Sequence, residues 1–197
     1  ASAFSPANLP TTITSAALKR SCNIPDAIKG SEIDTFVLDD GWFGDKYPRK
    51  KDNTSLGDWV VDKNKLPRGI NYLIEKAHEN GIKFGIWIDP EATNSVSELM
   101  EKHPDWALQV DGREVRYGRG GTQMLLDMTN PKVQDFVFGV VDDLLTQYPD
   151  IAYIKWDANV ELFNYGSKYL PRDKQSHIYI DYHNGLVNVL KRIRDKY

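Results

Sequence analysis

Thr35-Phe36-Val37-Leu38-Asp39-Asp40-Gly41 is the stretch that decides the fold: four β-branched or apolar residues stop abruptly at two acids and a glycine. That is the pattern of a buried strand spilling into a loop. The same pattern recurs downstream. Ile82 to Ile88 is a second apolar run, closed by Asp89-Pro90-Glu91, and Ile151 to Trp156 is another, closed by Asp157. Between the first two runs, Ile70, Leu73, Ile74 and Ala77 fall at helical spacing, with Gly81 placed where a left-handed cap is wanted. Before the last run, Asn130-Pro131 opens a strong helix with Val133, Phe136, Val137, Val140, Val141 and Leu144 on its core face. After Gln175 a further helix carries Leu186, Val189, Leu190 and Ile193 on one stripe. A short helix is expected near Ser97 to Lys102, a small Asp-Gly hairpin over 107–116, and strand character at Met124 to Asp127.

Continuous apolar strands alternating with helices predict an α/β class built on parallel strands. Acids at three successive strand ends favour part of a (β/α)8 barrel over an open doubly wound sheet, because barrel enzymes keep their chemistry at the carboxyl ends of all their strands. No glycine-rich phosphate fingerprint follows any strand, and Gly118-Arg119-Gly120-Gly121 precedes one.

Outside these elements the chain excludes more than it specifies. With 25 Lys+Arg against 28 Asp+Glu in 197 residues and no basic run, it lacks the electrostatic footprint of a nucleic-acid binder. No apolar stretch approaches the roughly 20 residues of a membrane helix. Residues 1–32 read as a lead-in, weakly helical over 17–29, without the charged and apolar regions of a signal peptide. Residues 33–197 read as the partial barrel domain. The single cysteine, Cys22, builds neither an intramolecular disulfide framework nor a zinc site by itself. His78, His103, His177 and His183 show no paired spacing on a strand, so neither a metal nor another cofactor is expected.

Residues two apart on a strand share a face, which sets Lys155 beside Asp157. The lysine is expected to keep that carboxylate ionised, as a nucleophile requires; a structural ion pair at a strand end explains the same spacing. Asp39 and Asp40 would face opposite ways on a regular strand, unless Gly41 turns both toward one cavity to accept hydrogen bonds from vicinal hydroxyls. Capping and loop solvation is the commoner use of such a pair. Trp87 shares a face with Asp89, and an indole beside a carboxylate suits a sugar ring, although a strand tryptophan taken alone is core.

Phe36-Val37-Leu38-Asp39-Asp40-Gly41-Trp42-Phe43-Gly44, Leu56-Gly57-Asp58-Trp59, Lys65-Leu66-Pro67, Phe84-Gly85-Ile86-Trp87-Ile88-Asp89-Pro90-Glu91, His103-Pro104-Asp105-Trp106 and Tyr153-Ile154-Lys155-Trp156-Asp157 together resemble the α-galactosidases of glycoside hydrolase family 36. The resemblance runs from about Ile33 to the end of the chain. It implies strands two to four of a catalytic (β/α)8 barrel, incomplete at both ends, and retaining hydrolysis of terminal α-linked galactose in oligosaccharides. By motif, Asp157 matches the family's nucleophile, Lys155 its sugar-bonding lysine, Asp39 and Asp40 its galactose-binding pair, Trp87 its pocket tryptophan, and Arg119 a sugar-site arginine. The chain departs from the family at Ala158 and Val160, which stand where a methionine and an arginine are usual, and at Asp89, where glutamate is common. No residue matches the acid/base aspartate, which the resemblance places on a later strand, so the chain alone is expected to be inactive. The resemblance implies homo-oligomerisation of the full-length protein. The rival expectations are a non-catalytic sugar-binding remnant, a raffinose-synthase-like transglycosylase and an α-N-acetylgalactosaminidase.

Overall fold

The computed structural model describes residues 32–162 and 165–197. The lead-in, its expected helix and Cys22 therefore lie outside the described residues. Within them the elements run β1 (Thr35–Leu38), α1 (Gly69–Glu79), β2 (Lys83–Ile88), β3 (Ala92–Asn94), α2 (Glu98–Lys102), β4 (Gln123–Leu125), α3 (Pro131–Gln147), β5 (Ile151–Trp156) and α4 (Ile178–Lys196). β1, β2 and β5 form one parallel sheet in that spatial order, with Leu38 level with Ile86 and Trp87 level with Lys155. A strand-helix-strand rhythm without hairpin turns permits only this parallel arrangement. The fold is α/β as expected, and the three strands form an open sheet rather than a closed barrel.

Flanked on both sides, β2 is buried at every position but its first, whereas β1 and β5 are part-exposed because each has one sheet neighbour among the described residues. The helices form where the apolar spacing placed them. Ile70, Leu73, Ile74 and Ala77 of α1 are buried, and Gly81 takes φ +71° beyond its end. Asn130 caps α3 by accepting from the Lys132 N–H, with Pro131 in the first turn. Ser97 caps α2 by accepting from Met100 N. On α4 the buried residues are Ile178, Tyr182, Gly185 and Val189, while Leu190 is 45% exposed, so the inward stripe is rotated from the one expected. The rotation follows from Gly185, which lies so close to the Met128 carbonyl that an added Cβ would sit 1.9 Å from it.

Two local expectations are corrected. The 107–116 hairpin does not form. Its turn exists, with Gly112 at φ +70° and Arg113 N donating to Val110 O, but the preceding backbone is committed elsewhere. Ala107 bridges Leu126, Leu108 N donates to Leu125 O, and Gln109 N to Gly166 O. The strand near Met124 is Gln123–Leu125, and it pairs antiparallel with β3 in a separate two-stranded sheet rather than joining the parallel one. No helix among the described residues is long and apolar enough to cross a membrane.

Candidate active site

The carboxyl ends of β1, β2 and β5 bring four of the expected residues together. Asp39 follows Leu38, which is level with Ile86, and the next residue of β2, Trp87, is level with Lys155, so three adjacent strand ends bring these side chains together. Lys155 Nζ donates to Asp39 Oδ2 at 2.9 Å. Trp87 Nε1 donates to Asp157 Oδ2 at 2.9 Å, and the Asp157 N–H donates to Ile88 O, locking the end of β5 against the end of β2. The expected ion pair between Lys155 and Asp157 is thereby corrected: the lysine salt-bridges Asp39 instead.

Asp157 is nonetheless held as a carboxylate. Burial acts to raise its pKa, but hydrogen bonds from the Trp87 indole, the Asn159 amide and the Ala158 N–H, with the Lys155 charge behind them, outweigh it and hold the group below the usual range. Trp87 differs from the open ring face the sequence suggested. It is 3% exposed, stacked on Phe43 at a 7° interplanar angle with Trp59 nearby, and its carbonyl accepts from Trp42 Nε1. What it presents to the site is its N–H.

Asp40 pairs with Arg49 where Asp39 pairs with Lys155. Gly41 follows at φ +102°, and the Arg49 guanidinium grips Asp40 through two hydrogen bonds of 2.8 Å. Arg49 is 5% exposed, and it also donates to Thr54 O and Asn94 Oδ1. Its Nη2 also lies 3.7 Å from Asp52, and Asp52 in turn forms an ion pair with Arg119 Nε at 2.8 Å. Arg119 is the outer end of an alternating chain, Asp40, Arg49, Asp52 and Arg119, with 45% of its side chain exposed, and is joined to the row only through that chain. Asn94 of β3 stitches this layer down by accepting from Leu56 N and Arg49 and donating to Asp52 O and Thr122 Oγ1.

Sequence reasoning missed Arg49, Asp52, Asn94 and Asn159. Arg49 sits in Lys46-Tyr47-Pro48-Arg49-Lys50-Lys51, and nothing local marks one of those cations for burial. The β2 acids are buried deeper than their strand-end position suggested. Glu91 accepts from Trp156 Nε1 at 2.9 Å and from the Tyr182 hydroxyl at 2.6 Å, fastening β5 and α4 to β2. Tyr182 stays a phenol, its pKa pushed far up by burial and by the Glu91 charge. Asp89 is 1% exposed, and burial first, then the nearby Asp157 and Glu91 charges, push its pKa up to about 7 against the hydrogen bond from Asn159.

The row is open to solvent on the side of Asp39 and Lys155, about half of whose side chains are exposed. A cavity of about 430 Å³ lies elsewhere, lined by Trp59, Trp106 and Phe136, and it includes none of Asp39, Asp40, Asp89 or Asp157. The arrangement can present one carboxylate anion of fixed orientation beside a lysine and an exposed aspartate able to bind hydroxyl groups.

Comparison with known proteins identifies relatives of this chain. The family model described as Melibiase matches residues 17–197. Alpha-galactosidase 1 of Pediococcus pentosaceus is 42% identical over 174 residues, covering 88% of this chain and 23% of that protein. Two structures of variants of the family 36 α-galactosidase AgaA of Geobacillus stearothermophilus, one with raffinose and one with stachyose, superpose with TM-scores of 0.83 and 0.82 at 36% identity. Each alignment covers 91% of this chain and 24% of the other. The chain spans about a quarter of the length of the relatives it matches.

Proposed function

The chain belongs to the melibiase family, within the α-galactosidases of glycoside hydrolase family 36, and on that premise we propose that it carries the nucleophile and part of the sugar-binding floor of a retaining α-galactosidase. The observation that carries the reading is the Trp87–Asp157 hydrogen bond within the row that Asp39 and Lys155 complete. A nucleophilic carboxylate must stay ionised and keep one oxygen aimed at the anomeric carbon. The indole N–H holds Oδ2 and the Ala158 N–H holds Oδ1, so the group is oriented by two elements and not free to rotate.

In this mechanism Asp157 attacks C1 of a terminal α-linked galactosyl unit, the bond to the leaving oxygen breaks, and a covalent glycosyl-enzyme forms. Water then releases galactose. Retention requires a second carboxyl group about 5 to 5.5 Å from the first, which protonates the leaving oxygen and later deprotonates the water. We assign that role to a part of the whole protein other than this stretch. Asp39, Asp40, Lys155 and Arg119 bind the sugar hydroxyls, Asp40 being held in place by Arg49. Trp87 serves as the floor that orients the nucleophile rather than as a stacking platform, since it is buried and packed against Phe43 and Trp59. Raffinose- and stachyose-like oligosaccharides are the substrate class, and the homo-oligomer expected of the full-length protein belongs to the same proposal.

The test is hydrolysis of an aryl α-galactoside by the full-length protein, with a fluorinated galactoside used to trap the intermediate. Galactose release with the label on Asp157, both lost in Asp157→Ala, is the expected result. Galactose binding with no turnover and no labelled Asp157 would refute the catalytic reading in favour of a binding remnant. Transfer to sucrose in preference to water would replace hydrolysis by transglycosylation.

A further inference from the structure

Two buried oxygens at the end of β2 lack a donor: Asp89 Oδ1 and Gln123 Oε1. Their side chains are 1% and 2% exposed, and the other ends of those same groups, Asp89 Oδ2 and Gln123 Nε2, are 3.5 Å apart. A carboxylate facing a primary amide can accept from its N–H but has nothing to offer its carbonyl. A carboxylic acid can do both, because one hydrogen on Oδ1 turns the two orphaned acceptors into a donor and an acceptor. Asn159 Nδ2 donates to Asp89 Oδ2 at 3.2 Å, and the same amide is near enough to Asp157 to help hold it as the carboxylate.

We propose that Asp89 is kept as the neutral acid by pairing with Gln123, and that in this form it positions Asp157 through the shared Asn159 amide. The inference rests on the reading of Asp157 as nucleophile. A neutral Asp89 leaves Asp157 the single anion at Asn159, so the amide is drawn to the reacting carboxylate. An ionised Asp89 competes for the same amide and repels Asp157. The surroundings favour the neutral form: Asp157 faces Asp89 from the end of β5, Glu91 from the end of β2 and the Tyr182 hydroxyl from α4, while Arg49, from the loop after β1, is the cation among them and is already gripped by Asp40. Burial, which disfavours any lone charge at this depth, points the same way.

The experiment is carboxyl-carbon and side-chain amide NMR of the full-length protein between pH 4 and 9, paired with galactose calorimetry across the same range. The Asp89 carboxyl should titrate near neutrality, and the Asn159 amide signals should move with the same midpoint. Galactose affinity should fall about tenfold across that step, the weight of one weakened hydrogen bond to a charged group. In Asp89→Asn, which offers the same donor and acceptor without a titrating proton, both the Asn159 step and the affinity step should vanish. An Asp89 carboxyl already ionised at pH 5, or Asn159 signals that ignore its titration, would overturn the proposal, and the wild-type spectra decide this even if the variant does not fold. The NMR steps appearing without any galactose binding would count against the galactosidase reading and leave the Asp89 pairing standing.

Discussion

Asp89→Asn should make the protein more stable at pH 8 while leaving its stability relative to wild type unchanged by that term at pH 4. The folded-state pKa of Asp89 is about 7 against an ordinary 3.8. A raised carboxyl pKa means that the folded chain binds a proton the unfolded chain has released, so stability falls as pH rises between the two values. Above pH 7 the full penalty applies, and at about 1.4 kcal/mol for each pH unit the interval from 3.8 to 7 amounts to about 4 kcal/mol. Asparagine has the shape of the neutral acid and nothing to ionise, so the penalty disappears in the variant. Urea denaturation of both proteins at pH 4, 6 and 8 reads the effect directly. The wild-type midpoint should decline across the series relative to the variant, the gap widening by up to about 4 kcal/mol with equal slopes. Parallel curves would show that Asp89 ionises as easily in the folded chain as in the unfolded one, and the account of its burial would be wrong.

Other consequences are as direct. Trp87→Phe removes the donor to Asp157 Oδ2, and the Asp157 carboxyl should titrate at higher pH by carbon NMR. Because that bond stabilises the carboxylate, its loss should cost about 1.5 to 3 kcal/mol at neutral pH and less as Asp157 protonates in acid. Arg49→Ala strands Asp40 and the acceptors on Thr54 and Asn94 and should destabilise by about 3 to 5 kcal/mol in urea; Arg49→Lys should recover only part of this, since an ammonium cannot make the two-pronged grip. The helix glycines should respond in opposite directions. Gly139→Ala in α3 has open space around the new methyl and should raise stability by about 1 kcal/mol, while Gly185→Ala in α4 drives a Cβ into the Met128 carbonyl and should lower the melting temperature sharply. A neutral result at Gly185 would mean that α4 can move off β4 and the 126–130 segment without cost.

Periodicity and punctuation in the chain alone determined the elements and their class: apolar runs ending at Asp39, Asp89 and Asp157, helical spacing from Ile70 and from Val133, Asn130-Pro131 as a start and Gly81 as a stop. Those features are local, set by backbone geometry over a few residues, so a linear reading reaches them. The pairing of groups across strands was decided only in three dimensions. Lys155 lies two residues from Asp157 in sequence yet bonds Asp39, because β1 and β5 flank β2 and bring residues 116 positions apart within 2.9 Å. Arg49 is buried because β3, through Asn94, draws its loop down, and Asp89 is pushed toward neutrality because the fold buries it and sets the Asp157 and Glu91 charges near it. Charge state and hydrogen-bond partner depend on what lies within a few ångströms through space, and no spacing rule along the chain carries that distance.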